Sequence, residues 1–202
     1  MALLDWISSD QGLLLEGDGV RLRPPRMTDF PAWSQLRAQS AEFLRPWEPA
    51  WPEDDLTRQA FRRRLSVYAR DLELGQGFPF LVFREEDNRL VGGLTLSNIR
   101  RGIAQTATLG YWIGLPYTRQ GHTLAAVRTA CRFCFGRLGL HRVEAACLPS
   151  NEASRNLLLK AGFSLEGKAR AYLKINGAWR DHLLFGLLEE GARWEDEFSS
   201  GG

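Results

Sequence analysis

One feature constrains this chain most: a strand-like run leads through a short loop to a glycine, and a helix follows at once. The run is Leu109-Gly-Tyr-Trp-Ile113, the glycine is Gly121, and the helix-patterned stretch after it has no acidic residue before Arg137. A helix that begins on a glycine-bearing loop presents unpaired backbone N–H groups and the positive end of its dipole. Since that combination binds phosphate, the pattern predicts an anion site at this helix start.

A second helix start lies further along the chain. Asn151-Glu-Ala-Ser154 opens a helix that closes at Ala161-Gly162-Phe163. Asparagine is a good N-cap and serine is common close behind it, so capping alone accounts for the pair. Two such starts in tandem indicate an acyl-CoA site, with the pyrophosphate at the first helix and the chemistry near the second.

The composition is that of an ordinary soluble globular protein and does not by itself indicate nucleic-acid binding. The chain has 202 residues, 44% hydrophobic and 25% charged, which fits a single domain. Its formal net charge of +2 is too small to argue for nucleic acid. Five arginines crowd one predicted helix: Arg58, Arg62, Arg63, Arg64 and Arg70. They form either a solvated face or a dock for an acidic partner, such as a ribosome or its RNA.

The sequence favours the cytoplasm and gives no sign of a membrane. No apolar run approaches the roughly 20 residues that span a bilayer. The start, Met1-Ala-Leu-Leu-Asp5, lacks the basic region of a signal peptide. Three cysteines fit a reducing compartment. Cys131 and Cys134 lie in a helical pattern with no second pair, so we interpret them as buried packing residues and predict no metal site.

The order of predicted elements indicates an α/β (α+β) fold with a mixed sheet. Strands are predicted at 20–23, 80–83, 90–97, 106–113, 142–147, 164–175 and 178–188. Helices are predicted from Thr28 to Gln39, from Asp54 or Asp55 to Leu74, after Gly121 and after Asn151. Asn176-Gly177 is the strongest hairpin signal. We expect a largely antiparallel sheet of about seven strands with helices on both faces, one domain over 1–194, and a disordered tail over 195–202.

Several short motifs carry a resemblance to a known family. They are Phe43-Leu-Arg-Pro-Trp-Glu-Pro49, Ser97-Asn98 before Arg101-Gly102, Leu109-Gly-Tyr-Trp-Ile-Gly114, His141-Arg-Val143, Asn151 with Ser154, and Gly177-Ala-Trp-Arg-Asp-His182. Together with the order of elements, they resemble the GNAT acetyltransferase superfamily over roughly 20–188. The Pro-Trp-Glu-Pro loop and the Trp-Arg-Asp-His hairpin resemble its RimJ/RimL branch, the ribosomal-protein-alanine N-acetyltransferases.

The resemblance implies acetyl-CoA as the acetyl donor and a set of residues that would bind it. The superfamily's phosphate motif is Arg/Gln-x-x-Gly-x-Gly/Ala, and here only its central Gly121 is kept, because Thr118 and Thr123 replace the flanking residues. Backbone N–H groups still form the cradle, and Arg119 can add charge. The implied cofactor-binding residues are Tyr111, Trp112, Ile113, Arg119, Gln120, Gly121, His122, Thr123, Leu124, Asn151 and Ser154.

The resemblance also assigns roles around the thioester. Many members of the superfamily carry a tyrosine general acid in the second helix, but the corresponding residue here is Leu158. Ser154 is then the best candidate to hydrogen-bond the departing thiolate. In the family, a backbone N–H of the strand 109–113 serves as the oxyanion donor, where a bulge splays that strand from its neighbour. We expect the splaying at Gly114-Leu-Pro116.

The acceptor is predicted to bind between the aromatic loop and the C-terminal hairpin. The implied substrate-binding residues are Trp47, Glu48, Asn98, Tyr172 and Trp179. An α-amino group, with a pKa near 8, costs only on the order of 1 kcal/mol to deprotonate at pH 7, whereas a lysine costs about 3 to 4 kcal/mol. A carboxylate acting through water therefore suffices as base, and Glu48 and Glu144 are the candidates. The pattern does not decide which face of the sheet Glu144 occupies.

These observations favour an N-acetyltransferase that acts on the N-terminal α-amino group of a protein, such as a ribosomal protein. Two alternatives stay open. One is an enzyme of the same fold that acts on a small amine, such as a polyamine or an aminoglycoside. The other is a non-catalytic acyl-CoA-binding module, which the eroded phosphate motif and the missing tyrosine would suit. A homodimer is also left open.

Overall fold

A computed structural model describes residues 13–192 of the chain, and the predicted tail at 195–202 lies outside them. An eight-stranded sheet forms its centre. The strands are β1 (Leu15–Gly17), β2 (Val20–Arg23), β3 (Phe78–Arg84), β4 (Leu90–Arg100), β5 (Thr106–Ile113), β6 (Arg142–Cys147), β7 (Ser164–Ile175) and β8 (Ala178–Leu188). The helices are α1 (Phe30–Gln39), α2 (Ala41–Leu44), α3 (Arg58–Glu73), α4 (His122–Arg132) and α5 (Glu152–Lys160). The predicted mixed α/β fold is confirmed.

The sheet has the order β1-β2-β3-β4-β5-β6-β8-β7, and among these pairs β5 with β6 is parallel while the rest are antiparallel. The prediction of about seven strands omitted β1, which has three residues. Its turn to β2 is made by Asp18 and Gly19, both at positive φ. An Asp-Gly pair of this kind is a hairpin signal that could have located the strand.

Helices cover both faces of the sheet. On one face, α4 and α5 enclose the larger core cluster with buried residues such as Val127, Cys131 and Leu158. On the other face, α1 and α3 cover a smaller cluster built around Trp33, Leu36, Phe61 and several residues of β3 and β4. The sheet therefore separates two compartments, and a ligand can reach it from either side.

The Cys131–Cys134 pair packs in the core, as the sequence indicated. Both thiols are buried and free, and burial raises the pKa of each. Cys134 lies in a single π-helical segment, Phe133–Arg137, that continues α4. A thiol whose pKa is raised by burial is a poor nucleophile and a poor metal ligand, so packing is what these residues contribute.

Two of the five arginines of this helix, Arg63 and Arg64, are neutralised by acidic neighbours. The helix begins after Thr57 rather than at Asp54 or Asp55, and those two carboxylates instead bind Arg63 and Arg64. Arg58 lies over the ring of Phe30. This pairing removes much of the predicted positive face.

None of the helices in the described part of the chain is long and apolar enough to cross a bilayer.

Candidate functional site

The sheet opens between its two central strands. The ladder of β5 with β6 runs from Thr106–Arg142 to Leu109–Ala145 and ends there. Beyond this point β5 stays paired with β4 as far as Ile113, and β6 stays paired with β8 as far as Cys147. The two strands therefore diverge from Gly110 onward, four residues earlier than the expected position at Gly114. The edge of β5 that faces the gap has free backbone groups, and an extended ligand can bind to them as an added strand does.

A hydroxyl cluster lies at this opening on the α4/α5 face. The phenol oxygen of Tyr111 is 2.7 Å from the hydroxyl oxygen of Ser154, which joins β5 to α5. Asn151 caps α5, and its side-chain oxygen accepts a hydrogen bond from the Ser154 backbone N–H at 3.0 Å. Burial raises the pKa of Cys147 at the end of β6, and a hydrogen bond with Ser154 opposes that rise. The sequence-predicted Asn151 and Ser154 thus lie where the sheet opens.

The start of α4 has the features of an anion site. Gly121 is the N-cap with φ 86°, and no side chain caps the helix. Arg119 also has a positive φ, 60°, so the loop turns sharply just before the helix. The first turn carries no acidic residue. Backbone N–H groups at a helix start without a side-chain cap are available to a phosphate.

The side chains around this loop mostly serve the turn itself. The Thr118 hydroxyl donates to the Leu115 carbonyl at 3.0 Å, and the Gln120 amide donates to the Pro116 carbonyl at 2.9 Å. Burial lowers the pKa of His122, and Arg84 lowers it further, so the imidazole is neutral at pH 7. The anion site therefore depends on backbone groups and Arg119 rather than on His122. The eroded motif residue Thr118 keeps a structural role.

A polar trough crosses the opposite face of the sheet, beneath α3. Ser97, Thr108 and Glu144 are register partners on β4, β5 and β6, and they share this face. A cavity of about 640 Å³ lies over them, within the usual range for a ligand site. Its other polar lining residues include Tyr68, Asp71, Thr95, Asn98, Arg100 and Tyr172. The Thr108–Glu144 pair immediately precedes the last bridge of the ladder, so the trough ends at the opening.

The structure decides the orientation of Glu144, which the sequence left open: its side chain lines the trough. It is hydrogen-bonded to Arg100 at 3.1 Å and to Arg142 at 3.0 Å. Asn98 lies at an irregularity of β4 with φ 49°, and its amide is 3.5 Å from the Thr108 hydroxyl. Tyr172 of β7 completes the wall. Three sequence-predicted residues, Asn98, Glu144 and Tyr172, are therefore brought together.

Glu48 lies in surroundings that the sequence did not indicate. Arg37 donates to both of its oxygens, at 2.7 and 2.6 Å, and the Trp51 indole N–H donates to one of them at 2.7 Å. The guanidinium of Arg37 is itself buried and lies 4.1 Å from the Trp51 ring and 4.9 Å from the Trp112 ring. With both carboxylate oxygens engaged, Glu48 is suited to holding the loop rather than to accepting a substrate proton.

The aromatic loop and the C-terminal hairpin meet directly. The backbone N–H of Asn176 at the hairpin turn donates to the Glu48 carbonyl at 2.9 Å. Trp47 is half-buried in a single helical turn of this loop, and Trp179 on β8 is 65% exposed. In the part of the chain that the structure describes, neither tryptophan lines the trough, so both lie outside it. The side chain of Trp112 lines a second, smaller cavity of about 220 Å³ beside Arg37, on the face opposite α4 and α5, so its predicted contact with the cofactor would have to come from its backbone.

Two residues of the Trp-Arg-Asp-His motif, Asp181 and His182, have structural partners. His182 is 3% exposed and its ring nitrogen is 3.0 Å from the Arg180 carbonyl oxygen, which makes it a satisfied hairpin histidine. Asp181 accepts from the Ala171 backbone N–H and pairs with Lys168, fixing the irregularity of β7. Over residues 13–192 no cluster of histidine, cysteine or acidic side chains is suited to hold a metal ion.

Sequence reasoning missed two residues that shape this site. Arg37 had no signal beyond being a basic residue on α1, since its partner lies eleven positions away across a proline-broken loop. Tyr111 was selected for its backbone, and the role of its phenol was not foreseen. Alternation along β5 could have placed Tyr111 on the face of Leu109, but only the fold brings α5 to it.

Comparison with known proteins places this geometry in a family. The model of the acetyltransferase (GNAT) domain matches residues 20–164. The Bacillus subtilis protein named Probable N-acetyltransferase YjcK is 35% identical over 175 residues, which covers 87% of this chain and 97% of that protein. The Escherichia coli ribosomal protein uS5-alanine N-acetyltransferase is 33% identical, covering 83% of this chain and 90% of that enzyme.

Solved structures agree with the sequence relatives. RimJ of Mycobacterium smegmatis, determined in complex with CoA-disulfide, superposes with a TM-score of 0.82 at 35% identity and covers 88% of this chain and 87% of its own. The ribosomal-protein-S5-alanine acetyltransferase of Vibrio fischeri superposes with a TM-score of 0.80 at 29% identity, covering 87% of this chain and 96% of its own.

Proposed function

Because the chain belongs to the acetyltransferase (GNAT) family and is an acyltransferase, we propose that it transfers acetyl from acetyl-CoA to the N-terminal α-amino group of a protein. Relatives named for ribosomal-protein alanine support an acceptor of that kind. Association with the ribosome is part of this proposal. In the described part of α3, Arg62 and Arg70 are the arginines with neither an ion pair nor an aromatic contact, so any such association draws on a small basic surface.

The opening between β5 and β6 is the observation that carries the proposal. The hydroxyl cluster of Tyr111 and Ser154 lies on one face, and the trough with Glu144 lies on the other. The ladder ends between them, at Leu109–Ala145. Two substrates that approach from opposite faces can therefore meet at this gap, and acetyl can pass directly between them without a covalent acetyl-enzyme intermediate.

The residues on the α4/α5 face fit acetyl-CoA. The uncapped start of α4 at Gly121 supplies backbone N–H groups for the pyrophosphate, and Arg119 adds charge. The free edge of β5 beyond Leu109 supplies backbone groups for the pantetheine arm and the oxyanion. When bound, acetyl-CoA supplies an activated thioester whose sulfur departs as a thiolate. Ser154 provides the hydroxyl at that end of the site.

The trough fits a peptide acceptor better than a polyamine. Of its two acids, Glu144 already binds Arg100 and Arg142, so among the described residues the trough offers a small polycation a single unpaired carboxylate, that of Asp71. Hydroxyl and amide groups from Thr95, Ser97, Asn98 and other lining residues can instead bind peptide backbone. We assign Glu144, directly or through water, to orient the α-amine. Glu48 holds the surrounding loop.

An acceptor panel tests this function. We expect purified protein to release free CoA from acetyl-CoA in the presence of a peptide that begins with alanine. The same peptide with a blocked N-terminus is the matched control and should give no release. Release with spermidine or an aminoglycoside, and none with any peptide, would replace this proposal by a small-amine activity.

Thermal unfolding with and without millimolar acetyl-CoA tests donor binding alone, because a ligand of the native state raises its stability.

Removing the cap of α5 should impair catalysis beyond its effect on stability. Asn151→Ala is expected to lower the free energy of unfolding by about 1 kcal/mol, as for other N-caps. It should also lower turnover several-fold, since the cap holds the first turn that carries Ser154. Thr57→Ala is the matched control, because Thr57 caps α3 by the same kind of bond to Ala60. A similar loss of stability with unchanged turnover is expected there, and equal turnover in both variants would contradict the assignment.

A further inference from the structure

The orientation of the Ser154 hydroxyl decides which acceptor its proton reaches. A serine hydroxyl rotates freely and can point its one proton at any nearby acceptor. The superfamily's tyrosine acid is replaced here by Leu158, whose side chain is fully buried in the core. The donor at the sulfur must therefore come from elsewhere, and it needs a neighbour to fix its direction.

Tyr111 is the neighbour that reaches Ser154. Its phenol oxygen lies 2.7 Å from the serine oxygen, and it comes from β5 two residues beyond the last bridge with β6. Tyr68 and Tyr172 line the trough on the other face of the sheet and cannot take this place. Tyr111 therefore belongs both to the free edge at the opening and to the hydroxyl cluster.

The hydrogen bond between the two hydroxyls has a preferred direction. A phenol is more acidic than an aliphatic hydroxyl, so the arrangement in which Tyr111 donates and Ser154 accepts is favoured. Burial raises the pKa of Tyr111 further above its ordinary value, which keeps the phenol protonated at any pH the enzyme meets. The proton of Ser154 is then left free for a different acceptor.

The Cys147 thiol is a second neighbour of the Ser154 hydroxyl. Burial raises the pKa of the Cys147 thiol, and the hydrogen bond with Ser154 lowers it in part, which is the effect of a donor on a thiolate. Cys147 ends β6, on the other arm of the opening from Tyr111.

We propose that Tyr111 is a positioning residue that fixes the Ser154 hydroxyl as a hydrogen-bond donor to the sulfur of CoA. The proposal rests on the proposed function, since it concerns the same site. Tyr111 acts through Ser154 and transfers no proton itself. As the amine nitrogen bonds to the acetyl carbon and loses a proton to water, the C–S bond breaks with its electron pair on sulfur. The thiolate formed is stabilised by the Ser154 donor until solvent protonates it.

The direct test measures the acidity of the CoA thiol when it is bound, without any acceptor. The ultraviolet absorbance of the thiolate is followed against pH for the protein with CoA, and the complex with desulfo-CoA is subtracted as a blank. The wild-type protein should titrate the thiol at lower pH than free CoA. Tyr111→Phe and Ser154→Ala should both move the midpoint to higher pH. Tyr117 lies in the helical turn Leu115–Tyr117 after β5, and the hydroxyl that Ser154 contacts is that of Tyr111. Tyr117→Phe is therefore the matched loss of a phenol hydroxyl and should leave the midpoint unchanged.

Turnover provides the second readout. We expect Tyr111→Phe to lower kcat about three- to tenfold, the scale of one hydrogen bond, with the KM for acetyl-CoA nearly unchanged. The double variant with Ser154→Ala should be no slower than Ser154→Ala alone, because Tyr111 acts only through that hydroxyl.

An unmoved thiol midpoint in Tyr111→Phe, loss of CoA binding in that variant, or additive losses of kcat would overturn the inference. A shifted midpoint in a protein that acetylates no amine would support the inference and reject the proposed function instead.

Discussion

Gly121→Ala is expected to weaken acetyl-CoA binding about tenfold, because a left-handed residue with a Cβ is strained by roughly 1–2 kcal/mol. Gly121 has φ 86°, and an added Cβ would meet no atom within 4 Å, so the effect comes from the backbone alone. The loop can relieve the strain only by rotating the first N–H groups of α4 away from the phosphate. Isothermal titration with acetyl-CoA measures the change.

Gly102→Ala separates this effect from general strain. Gly102 has φ 67° and equally open space, but it lies in the turn after β4. We expect a comparable loss of stability, about 1 kcal/mol, with an unchanged dissociation constant. Equal affinity for acetyl-CoA in the two alanine variants would show that Gly121 does not shape the anion site.

Glu48→Gln is expected to destabilise the fold by about 3 kcal/mol, because removal of one partner leaves a buried charge uncompensated. Arg37 is 7% exposed, and Glu48 is its anionic hydrogen-bond partner. The loop that it fixes also holds the hairpin turn through the bond from Asn176. The variant should therefore raise the KM for the peptide acceptor more than it lowers kcat at temperatures where it is folded. Urea unfolding and steady-state kinetics measure the two effects.

Asp87→Asn is the control for the loss of an ion pair. Asp87 accepts two bonds from Arg84, which holds the pKa of its carboxyl at about 2, but the pair lies at the surface in a hairpin turn. Surface pairs contribute little to stability, so we expect almost no change in unfolding or in acceptor KM. A large fall in kcat for Glu48→Gln with normal stability would instead identify Glu48 as the catalytic base.

The parts of the site that the sequence predicted are those set by local physics. A glycine at positive φ before a helix with no acidic residue in its first turn is visible in a few consecutive residues, and the structure has it at Gly121. The Asn151 cap is equally local, and so is the Asn176-Gly177 hairpin turn. Each of these features depends on neighbours in the chain, and no tertiary contact was needed to foresee it.

The parts that the sequence could not predict depend on register and on distant partners. The face that Glu144 occupies follows from its pairing with Thr108, and a shift of one residue would reverse it. The position of the opening depends on where the ladder of β5 with β6 ends, at Leu109–Ala145. The sequence suggested that Glu48 is a free acid, but in the fold α1 places Arg37 next to it. The pattern of neighbouring residues in the sequence does not predict such tertiary contacts.

The central claim is transfer to an N-terminal α-amine, and one peptide can test it directly. The peptide begins with alanine and carries one internal lysine, so both kinds of amine are present at equal concentration. After incubation with the protein and acetyl-CoA, fragment mass spectrometry locates the added acetyl group. We predict acetylation of the α-amino group with the lysine left free. Acetyl on the lysine, or none on the peptide while spermidine is acetylated, would contradict the account.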